Sequence, residues 1–134
     1  MAAVSGLNHL TLAVGDLDRS LAFYRDVLGF RVAAAWATGA YLEAGTLWLC
    51  LSVGPVSRRD DYTHVALSVA PEAFAELAAL VSAVAPIWQA NFSEGESLYF
   101  LDPDGHRLEL HVGSLASRLA DYRGRLVPGV RVFE

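Results

Sequence analysis

Hydrophobic and polar residues alternate near the start of the chain in the manner of a β-strand. Between Leu7 and Val14, leucine and valine take every second position, which places His9 and Thr11 together on the opposite face. We therefore predict a strand that carries a histidine and a threonine side by side on its polar face.

The next segment has the spacing of an amphipathic helix. Apolar residues recur three or four positions apart from Leu17 to Leu28, after a candidate N-cap at Asp16 and before a helix stop at Gly29. Three short β-like segments follow, at Phe30–Ala35, Ala40–Ala44 and Thr46–Ser52. The predicted order of this half is βαβββ.

The same order begins again after a polar loop at Gly54–Asp61. A strand at Thr63–Val69 precedes a helix that opens at Pro71 and keeps its apolar spacing as far as Val84. The strands expected next are Ile87–Asn91, Ser97–Leu101 and Arg107–Val112, with the turn sequence Asp102-Pro103-Asp104-Gly105 between the last two. The second half therefore repeats the predicted order βαβββ.

The two halves align as an internal repeat. Residues 8–14 match residues 63–69 at an offset of 55 positions (64 minus 9), so His9 and His64 are equivalent. We predict an α+β fold of paired βαβββ modules, as one domain over 1–134 with half-repeats at about 6–53 and 62–113. A C-terminal helix at about 114–123 follows, capped by Ser114, with Leu115, Leu119 and Tyr122 inward and Arg118 beside that face.

Composition narrows the possible functions. The 134 residues suit one domain, and a hydrophobic content of 54% leaves apolar surface for a subunit interface, so we expect a homo-oligomer. The net charge of −5 disfavours nucleic acid as a partner, and no apolar stretch is long enough for a membrane helix. Cys50 is the only cysteine, and the N-terminus does not have the pattern of a signal peptide, which together favour a cytoplasmic protein.

Three residues form a candidate metal site. A duplicated sheet that curls around a cleft points His9 and His64 toward a common centre, and Glu109 interrupts an apolar strand. The position that matches Glu109 in the first half is about Trp48, whose indole cannot bind a metal. Two imidazoles and one carboxylate predict a catalytic divalent site with open positions, suited to Mn, Fe, Co, Ni or Zn.

The alternative is that these are ordinary hydrogen-bonded residues of strands. His106 and His111 also compete as ligands, although neither has a counterpart in the repeat. His106 follows a turn and is expected to be exposed, while His111 shares a strand face with Glu109.

Six segments of the chain carry recognisable motifs, namely Gly6–Val14, Ala22–Asp26, Leu47–Leu51, Asp61–His64, Ser93–Gly95 and Tyr99–Glu109. Together they resemble the fosfomycin glutathione transferases of the vicinal oxygen chelate superfamily. The resemblance runs from about Gly6 to Arg118, and the segments Trp48–Leu51 and Asn91–Ser97 are the most particular to this branch. It implies a homodimer with exchanged modules, in which His9 of one subunit joins His64 and Glu109 of the other around Mn(II).

The resemblance also implies the reaction and the residues that support it. Glutathione would open the epoxide of fosfomycin and so give antibiotic resistance. The phosphonate would be bound by Thr11, Ser93, Tyr99 and Arg118, of which Thr11 and Tyr99 would also be catalytic. The cleft would be lined by Trp36, Tyr41, Trp48 and Cys50, and a potassium ion would be held by Asn91, Ser93, Glu94, Gly95 and Ser97.

One position departs from this family's pattern. Gln89 stands where these transferases usually carry a lysine that contacts the phosphonate, so a charge-assisted contact of about 1.5–3 kcal/mol is lost.

Other functions on the same fold stay open. A fosfomycin hydrolase would need a carboxylate base within 37–41, where none occurs and Glu43 is the nearest acid. A transferase could use bacillithiol or cysteine instead of glutathione. A metal-free drug-binding protein would belong to a different class, and it would have no need of His9, His64 and Glu109 together.

Overall fold

Two successive βαβββ modules and a C-terminal helix make up the chain. A computed structural model describes residues 3–133, and its contacts divide into two compact units. The first unit contains the described residues up to Tyr62 together with Asp102–His106, and the second contains Thr63–Leu101 and the described residues from Arg107 onward. The α+β class and the paired modules are therefore confirmed.

The first unit contains a four-stranded sheet. Its strands are β1 (Leu10–Val14), β2 (Arg31–Trp36), β3 (Gly39–Ala44) and β4 (Leu47–Val53), in the order β1-β4-β3-β2. Strand β1 runs parallel to β4, and the other pairs are antiparallel. One face of this sheet carries buried leucines such as Leu42 and Leu49. The residues that alternate with them include His9, Thr11 and Tyr41, which are exposed. The predicted polar face of the first strand is confirmed.

The helix of the first unit departs from a regular α-helix. Helix α1 (Leu17–Leu21) continues directly into a π-helical segment, Ala22–Val27, in which the amide of Leu28 reaches the carbonyl of Phe23 at 3.1 Å. The consecutive residues Phe23 and Tyr24 are both buried there. The regular spacing of apolar residues predicted one continuous α-helix. The wider π-helical turn interrupts that helix after Leu21.

The second unit repeats this topology. Its elements are β5 (Val65–Ser68), α2 (Pro71–Ser82), β6 (Ile87–Gln89), β7 (Ser97–Leu101), β8 (Arg107–His111) and α3 (Leu115–Arg125), with strand order β5-β8-β7-β6. Strand β5 is parallel to β8. None of the helices within residues 3–133 has the length and apolarity needed to cross a membrane.

Two residues expected on buried helix faces lie in solvent. Val84 is 62% exposed because α2 ends at Ser82, where the amides of Val84 and Ala85 both turn back to the carbonyl of Val81. Pro86 disfavours helical geometry in the residue before it, so the helix has to end here. Leu115 is 74% exposed at the first position of α3, whereas Leu119 and Tyr122 are half-buried.

Two buried carboxylates attach the turn Asp102–His106 to the first unit by hydrogen bonds. Asp102 accepts the hydroxyl of Tyr24 at 2.7 Å and the amides of Asp104 and His106 at 2.9 and 2.8 Å. Asp104 accepts the amide of Gly15 and a guanidinium N–H of Arg19, both at 2.9 Å. These contacts compensate the burial of two charged groups.

His106 is not exposed as predicted. Its Nε2 lies 2.7 Å from the carbonyl oxygen of Ala13, and the residue is half-buried. The prediction was wrong because the turn that carries His106 packs against the end of β1. The carbonyl of Ala13 cannot donate, so Nε2 carries the hydrogen of this contact.

We expect Tyr24→Phe to lower the free energy of unfolding by about 1–3 kcal/mol, because the buried carboxylate of Asp102 loses a hydrogen-bond donor. Burial raises the pKa of the Tyr24 hydroxyl well above its usual value, with Asp102 adding to this effect, so the hydroxyl remains a donor near neutral pH. Urea unfolding measures the loss. Tyr41→Phe, at a residue that is 40% exposed, is the control and should change stability by less than about 0.5 kcal/mol. Equal stability of Tyr24→Phe and wild type would contradict the importance of this contact.

Candidate metal and substrate site

One row of side chains crosses the sheet of the second unit. The strand register pairs Ala66 with Glu109, Glu109 with Tyr99, and Tyr99 with Gln89. Directly paired residues project from the same face of a sheet, so these four residues are neighbours on one surface. The row places the predicted metal ligand Glu109, the predicted substrate ligand Tyr99 and the departing residue Gln89 on adjacent strands.

The first unit contains the equivalent row. There the register pairs Thr11 with Cys50, Cys50 with Tyr41, and Tyr41 with Ala34. The residue equivalent to Glu109 is therefore Cys50, and the sequence-based match to Trp48 was wrong. The offset between the repeats grows from 55 residues at His9 and His64 to 59 (109 minus 50) at this row, since the second module has longer connections.

A buried carboxylate and an imidazole meet in the second unit. Oε1 of Glu109 lies 3.1 Å from Nε2 of His64, and the two side chains are 8% and 21% exposed. The second oxygen, Oε2, accepts the hydroxyl of Ser97 at 2.7 Å. A carboxylate so far removed from water needs positive charge or hydrogen-bond donors around it.

The spacing of these two groups suits a divalent cation. Two adjacent ligands of an octahedral ion, each about 2.1–2.2 Å from the metal, stand about 3 Å apart. The nitrogen of His64 and the oxygen of Glu109 have this separation, and mixed N and O donors suit Mn(II) and its neighbours. The pair therefore fits two positions of a metal centre.

The third predicted ligand, His9, lies in the first unit. Its Nδ1 is 2.7 Å from the side-chain oxygen of Asn8, and its ring stacks on Trp48 with centroids 4.5 Å apart. Because the Asn8 oxygen only accepts, Nδ1 carries the hydrogen and Nε2 keeps a lone pair suited to a metal. Within residues 3–133, no three His, Cys, Asp or Glu side chains gather into a metal-binding group.

An aromatic surface continues from His9. Trp48 contacts Tyr41 at 5.3 Å between ring centroids, Tyr41 contacts Trp36 at 4.9 Å, and these three rings are 38–45% exposed. Tyr41 and Trp48 also line an open cavity of about 330 Å³ together with Glu43. The carboxylate of Glu43 is paired with Arg31, whose Nε donates to it at 2.6 Å. Cys50 is buried in the same sheet.

The predicted anion ligand Arg118 is held in place by the loop before β7. Its Nε donates to Oε1 of Glu94 at 3.2 Å, and one terminal N–H group donates to the carbonyl of Glu94 at 3.3 Å and lies 3.4 Å from Oγ of Ser93. Although burial by itself lowers the pKa of Arg118, hydrogen bonds to Glu94 and Tyr122 raise it overall. The guanidinium is therefore a fixed positive charge beside Ser93.

The five residues predicted to hold potassium are engaged in two different ways. The side-chain amide of Asn91 donates to the carbonyls of Gly95 at 2.9 Å and Ser93 at 3.4 Å, and its oxygen accepts the amide of Ser93 at 3.3 Å. These three residues share one compact loop. The side chains of the other two turn elsewhere, Glu94 to Arg118 and Ser97 to Glu109.

Two residues around Glu109 were not selected from the sequence. Trp88 contacts His64 and Tyr99 with ring centroids 5.5 and 5.3 Å apart, and its Nε1 donates to the carbonyl of Leu108 at 3.0 Å. Nδ1 of His111 lies 2.7 Å from the hydroxyl of Ser97. Alternation on β8 predicts that His111 shares a face with Glu109, but His111 has no counterpart in the repeat that would mark it as a ligand. No pattern distinguished Trp88 from an ordinary strand residue.

Comparisons with known proteins identify a family and several relatives of this chain. Residues 6–110 match the model of the Glyoxalase/Bleomycin resistance protein/Dioxygenase superfamily. The chain is 51% identical to Glutathione transferase FosA of Serratia marcescens, over 95% of this chain and 94% of that protein. It is 35% identical to Metallothiol transferase FosB of Lysinibacillus sphaericus, over 90% and 91% of the two chains. The crystal structure of the fosfomycin resistance protein FosX of Listeria monocytogenes, complexed with Mn(II) and sulfate, superposes with a TM-score of 0.79 at 30% identity, covering 89% of this chain and 98% of that one.

We expect Glu109→Gln to weaken Mn(II) binding at least about tenfold, because the amide keeps the size of the side chain but removes the charge that attracts the ion. Titration of free Mn(II) by electron paramagnetic resonance measures this affinity. Glu96→Gln, at an exposed residue near β7, is the matched control and should bind as wild type does. Unchanged affinity in Glu109→Gln would remove Glu109 from the set of ligands.

Proposed function

Because the chain belongs to the Glyoxalase/Bleomycin resistance protein/Dioxygenase superfamily, and is 51% identical to a glutathione transferase over nearly its whole length, we propose that it is an enzyme that transfers glutathione to fosfomycin. The epoxide is opened, and the antibiotic is thereby inactivated. The structural observation that carries this proposal is the buried carboxylate of Glu109 facing Nε2 of His64 at 3.1 Å.

The metal of this proposal is a divalent ion, with Mn(II) the first choice. His64 and Glu109 would supply two ligands and His9 the third, through the lone pair on its Nε2. A bound divalent ion supplies Lewis-acid assistance at the epoxide oxygen. The remaining positive charge in the site comes from the guanidinium of Arg118.

The chemical step exchanges one bond for another. The sulfur of glutathione, attacking as the thiolate, forms a bond to a ring carbon while the bond from that carbon to the ring oxygen breaks. The oxygen keeps the electron pair and takes up a proton. In this proposal, the hydroxyls of Thr11 and Tyr99 act as hydrogen-bond donors at the reacting substrate, since each stands in the central row of its sheet.

The phosphonate requires a separate set of contacts. Arg118 and Ser93 lie next to each other, with the guanidinium 3.4 Å from the hydroxyl oxygen, so both can point donors at one anionic group. Thr11 and Tyr99 complete the proposed set. The aromatic surface of Trp36, Tyr41 and Trp48, with Cys50, is proposed as the apolar lining of the cleft.

A potassium ion at the Asn91–Ser97 loop is a further part of the proposal. The carbonyls of Ser93 and Gly95 are brought together by the Asn91 side chain, and carbonyl oxygens suit alkali cations. Such an ion adds positive potential near a dianionic substrate. We place the reaction in the cytoplasm, where glutathione belongs to the reducing pool of thiols.

The alternatives make different demands on the same residues. A hydrolase needs a carboxylate free to activate water, yet Glu43, the nearest acid to the cleft segment, is paired with Arg31. A drug-binding protein without chemistry gives no reason for burying Glu109 against His64. Both observations favour the transferase.

Product analysis tests the function. The protein loaded with Mn(II) is incubated with fosfomycin in the presence and absence of glutathione, and the products are identified by mass spectrometry. A glutathione adduct is expected. A diol formed without thiol would indicate a hydrolase, and unchanged drug with tight binding would indicate a sequestering protein.

Bacillithiol and cysteine, tested in parallel, identify the preferred thiol. Replacing potassium with tetramethylammonium should slow the reaction if the Asn91–Ser97 loop binds potassium.

We expect the metal centre to be shared between two copies of the chain, with His9 from one copy and the other ligands from its partner. Mixed chains carrying His9→Ala and Glu109→Ala would then regain activity, because each mixed dimer has one site with all its ligands intact. Random exchange predicts about a quarter of the wild-type activity. Mixtures that stay inactive after verified exchange would contradict a shared site.

Gln89 leads to a prediction about efficiency. It pairs with Tyr99 in the register, so a lysine there would add an ammonium group beside the proposed phosphonate site. We expect Gln89→Lys to raise kcat/KM for fosfomycin about tenfold, equivalent to about 1.4 kcal/mol, with a smaller gain at high salt.

Ala90→Lys, which adds the same charge just beyond β6, is the matched control and should have little effect. If Gln89→Lys leaves turnover unchanged or lowers it, the chain has another compensating cation or a different substrate. A panel of phosphonate and carboxylate epoxides then distinguishes these two explanations, since only the first keeps fosfomycin as the best substrate.

A further inference from the structure

We propose that His111 is a positioning residue that acts through the hydroxyl of Ser97 to orient Glu109, so that one carboxylate oxygen, Oε1, is presented to the metal. This inference rests on the proposed metal centre and assigns a task to two side chains that would not touch the ion. It also gives the Ser97 side chain a different task from the potassium contact expected from the sequence.

The two oxygens of Glu109 have different environments. Oε1 faces Nε2 of His64 at 3.1 Å, whereas Oε2 lies 2.7 Å from Oγ of Ser97 and 3.4 Å from Nδ1 of His111. Nδ1 of His111 in turn lies 2.7 Å from Oγ of Ser97. The three residues form a continuous chain that ends on the oxygen pointing away from His64.

The direction of the hydrogen bonds follows from the number of hydrogens. Ser97 has one hydroxyl hydrogen, and an ionised carboxylate can only accept, so Ser97 donates to Glu109. The serine oxygen must then accept from His111, which places a hydrogen on Nδ1. This assignment holds for both the neutral and the protonated ring, so the chain does not depend on the titration of His111.

The ring of His111 lies close to the backbone of two glycines. Ser97 and His111 are directly opposite each other on β7 and β8. A Cβ atom at Gly95 would lie 2.9 Å from Cε1 of the ring, and one at Gly113 would lie 2.6 Å from Nε2. The ring therefore occupies a space that depends on both neighbours being glycines, and a side chain at either position would press on it.

Fixing Oε2 has a consequence for the metal centre. A carboxylate that rotates freely can offer both oxygens to one ion, which uses two coordination positions. With Oε2 held by Ser97, Glu109 would offer one oxygen to the ion, which would leave a position for a substrate oxygen. Partners of metal ligands that act in this way commonly change metal affinity by about 10–100-fold when they are removed.

A matched pair of variants separates the hydrogen bond from packing. Leucine and asparagine have nearly the same shape, but only asparagine places an N–H donor at the position of Nδ1. We expect His111→Leu to weaken Mn(II) binding about 10–100-fold, and His111→Asn to restore most of the loss. Electron paramagnetic resonance of free Mn(II) gives the dissociation constants.

Ser97 provides the second test. Ser97→Ala should weaken binding as much as His111→Leu does, and the double variant should be no weaker than either, because both changes break the same chain. Ser68→Ala, which removes a hydroxyl from the exposed residue paired with His111 on β5, is the control and should bind as wild type does.

A measurement on the metal-free protein is independent of metal binding. Long-range proton–nitrogen correlation spectra should show a hydrogen on Nδ1 of His111, with a resonance that changes in Ser97→Ala and not in Ser68→Ala. Unaltered Mn(II) affinity in His111→Leu and Ser97→Ala, equal losses in the leucine and asparagine variants, or an Nδ1 without hydrogen would each overturn the positioning role. Failure of the wild-type protein to bind Mn(II) would instead overturn the metal centre, and with it this inference.

Discussion

The burial of one carboxylate, Glu109, is the constraint on which the candidate site depends. Its strand neighbours Leu108 and Leu110 belong to the core, and Glu109 itself is only 6% exposed. A charged group in this position is costly unless hydrogen-bond donors or a cation surround it. The surroundings provide for this: Ser97 binds one oxygen, His64 faces the other, and the rings of Trp88 and Tyr99 flank the imidazole. None of these neighbouring side chains carries a permanent positive charge, so a cation bound at this position would balance the carboxylate.

The two modules share one topology but carry different side chains in the central rows of their sheets. Both sheets present a central row, with Thr11, Cys50 and Tyr41 in one and Ala66, Glu109 and Tyr99 in the other. The scaffold is the same, but only the second row carries a carboxylate. The first row combines a hydroxyl, a thiol and an exposed aromatic ring, so it presents different functional groups from the second row.

Charge near the proposed phosphonate site is balanced rather than simply positive. Arg118 is held by Glu94, whose carboxylate also accepts a hydrogen bond from Ser117, so the guanidinium is oriented but partly neutralised. Gln89, in the same row as Glu109 and Tyr99, adds no charge. Under the proposed function, an anionic substrate would therefore depend strongly on a bound divalent ion and on a monovalent cation at the Asn91–Ser97 loop.

The sequence by itself determined the modular order, the strand assignments and the repeat that makes His9 and His64 equivalent. These follow from local periodicity, because alternation and helical spacing depend on which face of each element is buried. Only the tertiary structure identified Cys50 as the counterpart of Glu109, placed His106 against β1 and brought His111 to Ser97. Each of these depends on the register between strands and on where a turn packs, and register is fixed by hydrogen bonds between segments distant in sequence. The burial of Glu109 could be inferred from its neighbours, but the division of its two oxygens between His64 and Ser97 required the sheet to be assembled.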